Sequence, residues 1–243
     1  MDSITSTYFV FLGESLPQYA ISSLELAVRH SGMTINLLGN EKLGRQVTNK
    51  NVNFIAVEDF YDSSDFGDAA MRISAPEFFR GGFWLKTLER FFVLEQFMNS
   101  ANLKSIFHAE LDQLLFRTDL LVNHLDKTSH KGLFLPFHNR DAAVASVLYC
   151  NDHTALESLL DFSRQGESFV NEMYLIASWS TRYPQYVLSL PTMVSFLNSR
   201  SSTLNPEILA LSVQDAGGAV DAAQLGQWSR CRHAVQNAGG TQR

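Results

Sequence analysis

Two acidic side chains stand two residues apart in His108-Ala109-Glu110-Leu111-Asp112-Gln113, directly after the apolar run Ile106-Phe107. Carboxylates so spaced at the end of a buried strand are costly to desolvate and poorly placed to pair with each other. A divalent cation resolves that conflict, since hard carboxylate oxygens suit Mg²⁺ or Mn²⁺, which keep positions open for water and phosphate. In open α/β sheets, ligands also gather beyond the carboxyl ends of the strands. An acidic pair alone reads more often as a solvated turn, so its neighbours decide. Upstream, Phe83-Trp84-Leu85-Lys86-Thr87-Leu88-Glu89-Arg90-Phe91-Phe92 sets Thr87 and Arg90 three apart, on one helix face. An arginine in so apolar a helix requires an anionic partner: a phosphate, Glu110 or Asp112. The rings of Phe83, Trp84, Phe91, Phe92 and Phe97 read as core, because a helix apolar nearly all round is a buried one.

The elements that must position these residues follow from the alternation of apolar runs and periodic segments. Tyr8-Phe9-Val10-Phe11-Leu12, ending at Gly13, reads as a strand buried on both faces. Pro17 opens a helix with Ile21, Leu24, Ala27 and Val28 at three- and four-residue spacing, closing near Ser31-Gly32. Strands follow at 35–38 and 53–57, a βαβ pattern whose parallel strands need helices on both faces. Residues 58–80 show no clean period and read as a long surface excursion. A helix at 83–98 begins after Gly81-Gly82, strands are expected at 105–109, 132–136 and 146–150, and helices at 153–164 and 169–181. The expected fold is α/β: a single Rossmann-like, mostly parallel twisted sheet flanked by helices, in one domain spanning 1–243, with 237–243 a disordered tail.

Length and composition fit that reading. At roughly 150 residues per domain, 243 residues make one large domain or two small ones, and no repeat or linker divides them. With 45% hydrophobic and 18% charged residues the chain is globular in composition. A net charge of -6 makes a sequence-independent nucleic-acid partner unexpected. The 18 phenylalanines point first to a large core. Cys150 and Cys231 match no metal or disulfide spacing. The N-terminal residues lack a secretory pattern, and the longest small-apolar run, 142–149, is far short of the roughly 20 residues of a membrane span. A cytoplasmic protein with no transmembrane segment is expected.

Trp84-x-x-Thr87-x-x-Arg90-Phe91-Phe92 followed by Ile106-Phe107-His108-Ala109-Glu110-Leu111-Asp112 resembles the bacterial GT-A glycosyltransferases that carry a DXD-like motif. Leu16-Pro17-x-Tyr19-x-x-x-Ser23-Leu24 resembles their first-helix signature. Val147-Leu148-Tyr149-Cys150-Asn151-Asp152 is similar to a later strand, Phe169-Val170-Asn171-Glu172-Met173 to a polar element before Leu190-Pro191, and Val220-Asp221-Ala222-Ala223-x-Leu225-Gly226-Gln227 to a C-terminal motif. The resemblance spans about 8–227. It departs at Glu110, where the family has Asp, and after Gln227, where Trp228-Ser229-Arg230-Cys231-Arg232-His233 replaces the usual continuation.

The resemblance implies a GT-A fold and transfer of a sugar, expected to be a hexose, from a nucleoside diphosphate sugar to a glycan or other hydroxyl acceptor. It places the protein in bacterial polysaccharide or glycan synthesis. Asp112 with Glu110, directly or through water, would hold Mn²⁺ or Mg²⁺, with His233 the candidate for a further ligand. Phe11, Leu12, Gly13, Thr87, Arg90, His108, Ala109 and Glu110 would contact the nucleotide sugar. Glu172, then Asp221, would face donor sugar or acceptor. Two alternatives stand beside this. A sugar nucleotidyltransferase would share the architecture, but Gly13-Glu14-Ser15-Leu16-Pro17 lacks the glycine-rich, basic first loop. A degenerate, non-catalytic binding module is favoured by Glu110 and the altered C-terminus. His108-x-Glu110 lacks the Pro-Cys-x-x-Cys of zinc deaminases, no nucleophile elbow or dinucleotide or Walker glycine pattern occurs, and His124, His130 and His138 read as surface or structural residues.

Overall fold

A computed structural model describes residues 6–75, 81–190 and 209–210 of the chain. In chain order it places β1 (Ser6–Phe11), α1 (Gln18–His30), β2 (Thr34–Gly39), α2 (Glu41–Gly44), β3 (Val52–Ala56), α3 (Gly67–Ala70), α4 (Phe83–Ser100) and β4 (Ile106–Ala109). There follow α5 (Thr118–Leu125), β5 (Leu133–Asn139), β6 (Ala142–Ala143), β7 (Val147–Cys150), α6 (His153–Arg164), α7 (Glu172–Arg182), β8 (Val187–Leu190) and β9 (Leu209–Ala210). All strands join one sheet in the order β3-β2-β1-β4-β7-β5-β8-β9, with β6 hydrogen-bonded to β5. Neighbours run parallel except at β7, which is antiparallel to both β4 and β5, and at the β5–β6 pair. The mostly parallel sheet expected from the sequence is therefore present, with one reversed strand at its centre.

Two apolar layers sandwich the sheet. On one face Leu88, Phe91, Phe92 and Leu94 of α4 pack with Leu156, Leu159 and Leu160 of α6 and Leu175, Ile176 and Trp179 of α7. On the other, Ala20, Leu24 and Ala27 of α1 meet Val122 and Leu125 of α5, over Phe9, Leu37 and Phe107. The central strands β4 and β7 are buried throughout, as continuous apolar runs require. The first strand is less uniform than its composition suggested: Thr7 and Phe9 are buried, whereas Tyr8 and Val10 are half-buried against the α4 layer. Among the described residues, no helix is long and apolar enough to cross a membrane.

Several elements depart from the sequence reading, and the short elements α2, β6, β8 and β9 were not expected at all. Residues 58–75 are not a surface excursion, because Phe66, Ala69 and Ile73 are buried in the α4 layer, and α3 lies among them. Their three- and four-residue spacing is helical, but Ser, Asp and Gly between them hide it. The helix α5 is an addition; it follows Arg117, which takes the left-handed φ of 47°, without a side-chain cap to announce it. The helix expected at 169–181 begins instead at Glu172. Asn171 caps it, its Oδ1 accepting from the N–H groups of Met173 and Tyr174, while Phe169 upstream bridges to Ile73. The expected tail at 237–243 lies outside the described residues.

Candidate active site

The acidic pair sits where β4 ends. The backbone N–H of Glu110 donates to the carbonyl of Ser146 at 2.8 Å, fastening the start of the turn to the neighbouring strand. The turn closes as Gln113 N–H donates to the Glu110 carbonyl at 3.1 Å, and Ser23 Oγ of α1 donates to the Gln113 carbonyl at 2.8 Å. Glu110 is half-buried and Asp112 exposed.

Behind the turn, α4 presents Thr87 and Arg90 from one face, both buried. Nη1 of Arg90 is hydrogen-bonded and ion-paired to Oε1 of Glu110, so the partner left open by the sequence is the first acid of the pair. Glu172, the first residue of α7, completes the cluster. It is only 4% exposed, and its carboxyl is pushed up to about 7, by burial above all. The Arg90 charge pulls it down, the Glu110 charge raises it again, and the Thr87 hydroxyl contributes a lowering hydrogen bond. The single Thr87 hydroxyl proton has a second acceptor, the Trp84 carbonyl at 2.9 Å, so it serves one of the two oxygens at a time. Asp112 is also held above the usual carboxylate range, first by crowding of its carboxyl by protein and then by Glu110.

His108 is fully buried, and its Nδ1 lies 2.9 Å from the carbonyl oxygen of Tyr8. A carbonyl only accepts, so the proton resides on Nδ1 and Nε2 is bare. Burial, and secondarily the Arg90 charge, depress the imidazole to about 3, so it is neutral wherever the protein is folded near neutrality. Three buried polar atoms in this cluster lack a hydrogen-bond partner: Nε of Arg90, Nε2 of His108 and Oε2 of Glu172. Such atoms call for a water or a ligand.

Thr87, Arg90, His108, Ala109, Glu110, Asp112 and Glu172 are thus brought to one sheet end. Phe11, Leu12 and Gly13 close β1 at that same end, beside β4 through the Tyr8↔His108 pairing. At Gly13 an added Cβ would stand 2.7 Å from the Phe11 ring, and its carbonyl accepts from Asn40 Nδ2 at 2.9 Å. Asp221 and His233 lie outside the described residues. One neighbour was not among the sequence candidates: Tyr19, in the first turn of α1, is 57% exposed, and its phenol is raised by burial and then by Asp112 and Glu110. Its place in the Leu16-Pro17-x-Tyr19 signature was the available signal.

A solved structure shares this architecture. The apo crystal structure of mouse xyloside xylosyltransferase 1 superposes with a TM-score of 0.51 at 9% identity, covering 81% of this chain and 90% of that one. The chain has the GT-A glycosyltransferase fold. PaToxG glycosyltransferase aligns at 0.45 and 10% identity over 74% and 68% of the two chains. GlyE of Streptococcus pneumoniae TIGR4 aligns at 0.47 and 15% over 82% and 47%. No family model and no curated protein matches the sequence. In a GT-A sheet with these registers, the carboxyl ends of β1 and β4 form one rim. That rim carries Arg90 with three acids, two of them pushed above their usual range, and a neutral histidine.

Proposed function

We propose that this chain transfers a glycosyl group, a hexosyl group being the expected cargo, from a nucleoside diphosphate sugar to a hydroxyl of a glycan or other acceptor. The observation that carries the reading is Glu172: a buried carboxyl pushed to about 7, with Oε2 unpartnered, beside the Arg90–Glu110 pair. A carboxyl that changes protonation near neutrality and keeps one oxygen for a ligand suits exchange of a proton with a reacting hydroxyl.

Asp112 and Glu110 fit a hard divalent cation, Mn²⁺ or Mg²⁺. Asp112 is accessible, and its carboxyl, raised by burial and then by Glu110, is favoured in its charged form by a bound positive charge. When bound, the cation would supply neutralisation of charge growing on the diphosphate leaving group. Arg90 acts as a positioning residue, holding Glu110 and lowering both Asp112 and Glu172. His108 locks β4 against β1 through its Nδ1–H. Phe11, Leu12, Gly13 and Tyr19 border the nucleotide. Asp221 as a second acid and His233 as a further cation ligand enter the proposal on the family resemblance alone.

A panel of nucleotide sugars incubated with Mn²⁺, with Mg²⁺ and with EDTA tests this by nucleotide release. Release from one donor class is expected, abolished by EDTA. Asp112→Asn should lose the Mn²⁺-dependent release while keeping the wild-type circular dichroism spectrum, since its side chain supports no other element. Saturable binding without release would leave a binding module; release unaffected by EDTA and by Asp112→Asn would overturn the cation assignment.

A further inference from the structure

At the other end of α4, two turns beyond Thr87, Glu95 faces the start of α6. There His153 and Glu157, four apart on one helix face, converge on it. One ring nitrogen of His153 and one oxygen from each glutamate lie within 4.8 Å of one another. The strand registers put this cluster at the opposite edge from the candidate active site, because Cys150, which leads into α6, pairs with Ile106 at the beginning of β4.

The details separate an ion site from a plain ion bridge. Nε2 of His153 stands 3.2 Å from Oε1 of Glu95 and is sealed from solvent, yet makes no hydrogen bond, because the ring N–H direction misses that oxygen. A protonated imidazole bridging two carboxylates would aim its N–H at them. Two ligands of one tetrahedral zinc, each about 2.0–2.1 Å from the metal, stand about 3.3 Å apart with the nitrogen lone pair directed between them. Nδ1 lies 3.3 Å from Oε1 of Glu157, a contact that the half-exposed Glu157 side chain must leave to join Nε2 and Glu95 on one ion. Asn99 Nδ2 donates to Oε1 of Glu95 at 2.6 Å, the kind of outer contact that orients a ligating carboxylate. Glu95 is 15% exposed at its side chain, and burial above all holds its carboxyl above the usual range. A cleft of about 350 Å³ bordered by Asn99, Lys104, Asp152 and His153 opens beside it.

We infer that Glu95, His153 and Glu157 form a second cation site, selective for a borderline divalent ion of the Zn²⁺ class and tying α4 to α6. Imidazole with two carboxylates suits zinc and leaves a fourth position for water from the cleft. The site is independent of the proposed transfer reaction and is tested without it.

Titration of the metal-free chain with Zn²⁺ by calorimetry, repeated in Asp112→Asn to remove the acidic pair at the other edge, should show about one equivalent bound in that variant. Adding His153→Ala or Glu95→Gln to it should weaken binding at least about tenfold. Co²⁺ should give the intense visible bands of a low-symmetry four-coordinate site, and Zn²⁺ should raise Tm, both effects disappearing with His153→Ala. Glu157→Gln, at an exposed position, keeps the test open if either of the half-buried changes unfolds the protein. Zn²⁺ binding undiminished in the His153 and Glu157 variants, or no binding at all in Asp112→Asn, would overturn the site and leave His153 an ion bridge.

Discussion

At the level of single residues, the candidate site is a charge problem solved by burial. Glu172 is the clearest case, and the sign of its effect on stability can be worked out. Its folded value near 7 lies above the unfolded value of 4.5, so the folded state binds the proton more tightly. Its contribution is complete below pH 4.5 and is lost as pH rises through 7, where a buried anion forms beside Glu110. Glu172→Gln should therefore raise Tm at pH 8, equivalent to roughly 2–3 kcal/mol, and change it little at pH 5. Equal shifts at both pH values would show that Glu172 does not titrate between them. Arg90→Met strands Glu110 and removes a charge that restrains Asp112 and Glu172, so a loss of about 2–4 kcal/mol is expected. Denaturant midpoints measured for Arg90→Met alone and with Glu110→Gln decide it, since the double variant should recover much of the loss. The sequence disclosed the types and spacing of Thr87, Arg90, Glu110 and Asp112, because a helix face and a strand end are local geometry. It did not disclose which anion Arg90 holds or that Glu172 is buried. The first depends on how α4 packs against the end of β4, and the second on α7 meeting α4 across a long stretch of chain.

At the level of elements, most strands with both faces buried were legible, because a continuous apolar run has few competing explanations. The exception is β8, buried throughout but only four residues long and interrupted by Ser189, which was not expected. What escaped were elements whose signals are split between faces or begin without a cap. The helix α5 has Leu120 exposed and Val122 and Leu125 buried, and the segment before it leaves Leu114 and Phe116 in water, which blurs the period. The reversal of β7 was not legible either, since strand direction is set by which neighbour completes the sheet. One glycine fixes the far half of that sheet. Gly132, just before β5, has φ 146°, and a Cβ there would meet the Tyr186 carbonyl oxygen at 2.1 Å. Tyr186 directly precedes β8, whose first residue pairs with Leu133. Backbone cannot yield as a side-chain end would, so Gly132→Ala should separate β5 from β8 at a cost on the order of 3 kcal/mol or more. Faster hydrogen exchange of the β8 amides than of the β1 and β2 amides in that variant is the expected readout. Uniform protection would mean the clash is absorbed locally.

At the level of the whole molecule, the chain carries a net charge of -6, and its candidate site repeats that imbalance. Among the described residues tied together at the carboxyl end of β4, Glu110, Asp112 and Glu172 face the one cation Arg90, and that cation is already paired with Glu110. A nucleoside diphosphate brings further negative charge to this rim. Binding should therefore require a divalent ion to reverse the local sign before the donor docks. The order of additions makes this testable by melting. A donor at about 100 times its Kd stabilises the folded state by about 2.7 kcal/mol. For a chain of this size that corresponds to a rise in Tm of roughly 5–10 °C. The reference must be protein with the cation alone, because an ion held between α4 and α6 raises Tm without any donor. Against that reference, the correct nucleotide sugar should raise Tm with Mn²⁺ and leave it unchanged with EDTA. Asp112→Asn should abolish the donor's increment while retaining the increment from Zn²⁺ alone. A donor that stabilises the protein equally with and without cation would mean that positive charge reaches the diphosphate from the protein itself, and the acidic pair would then be a solvated turn.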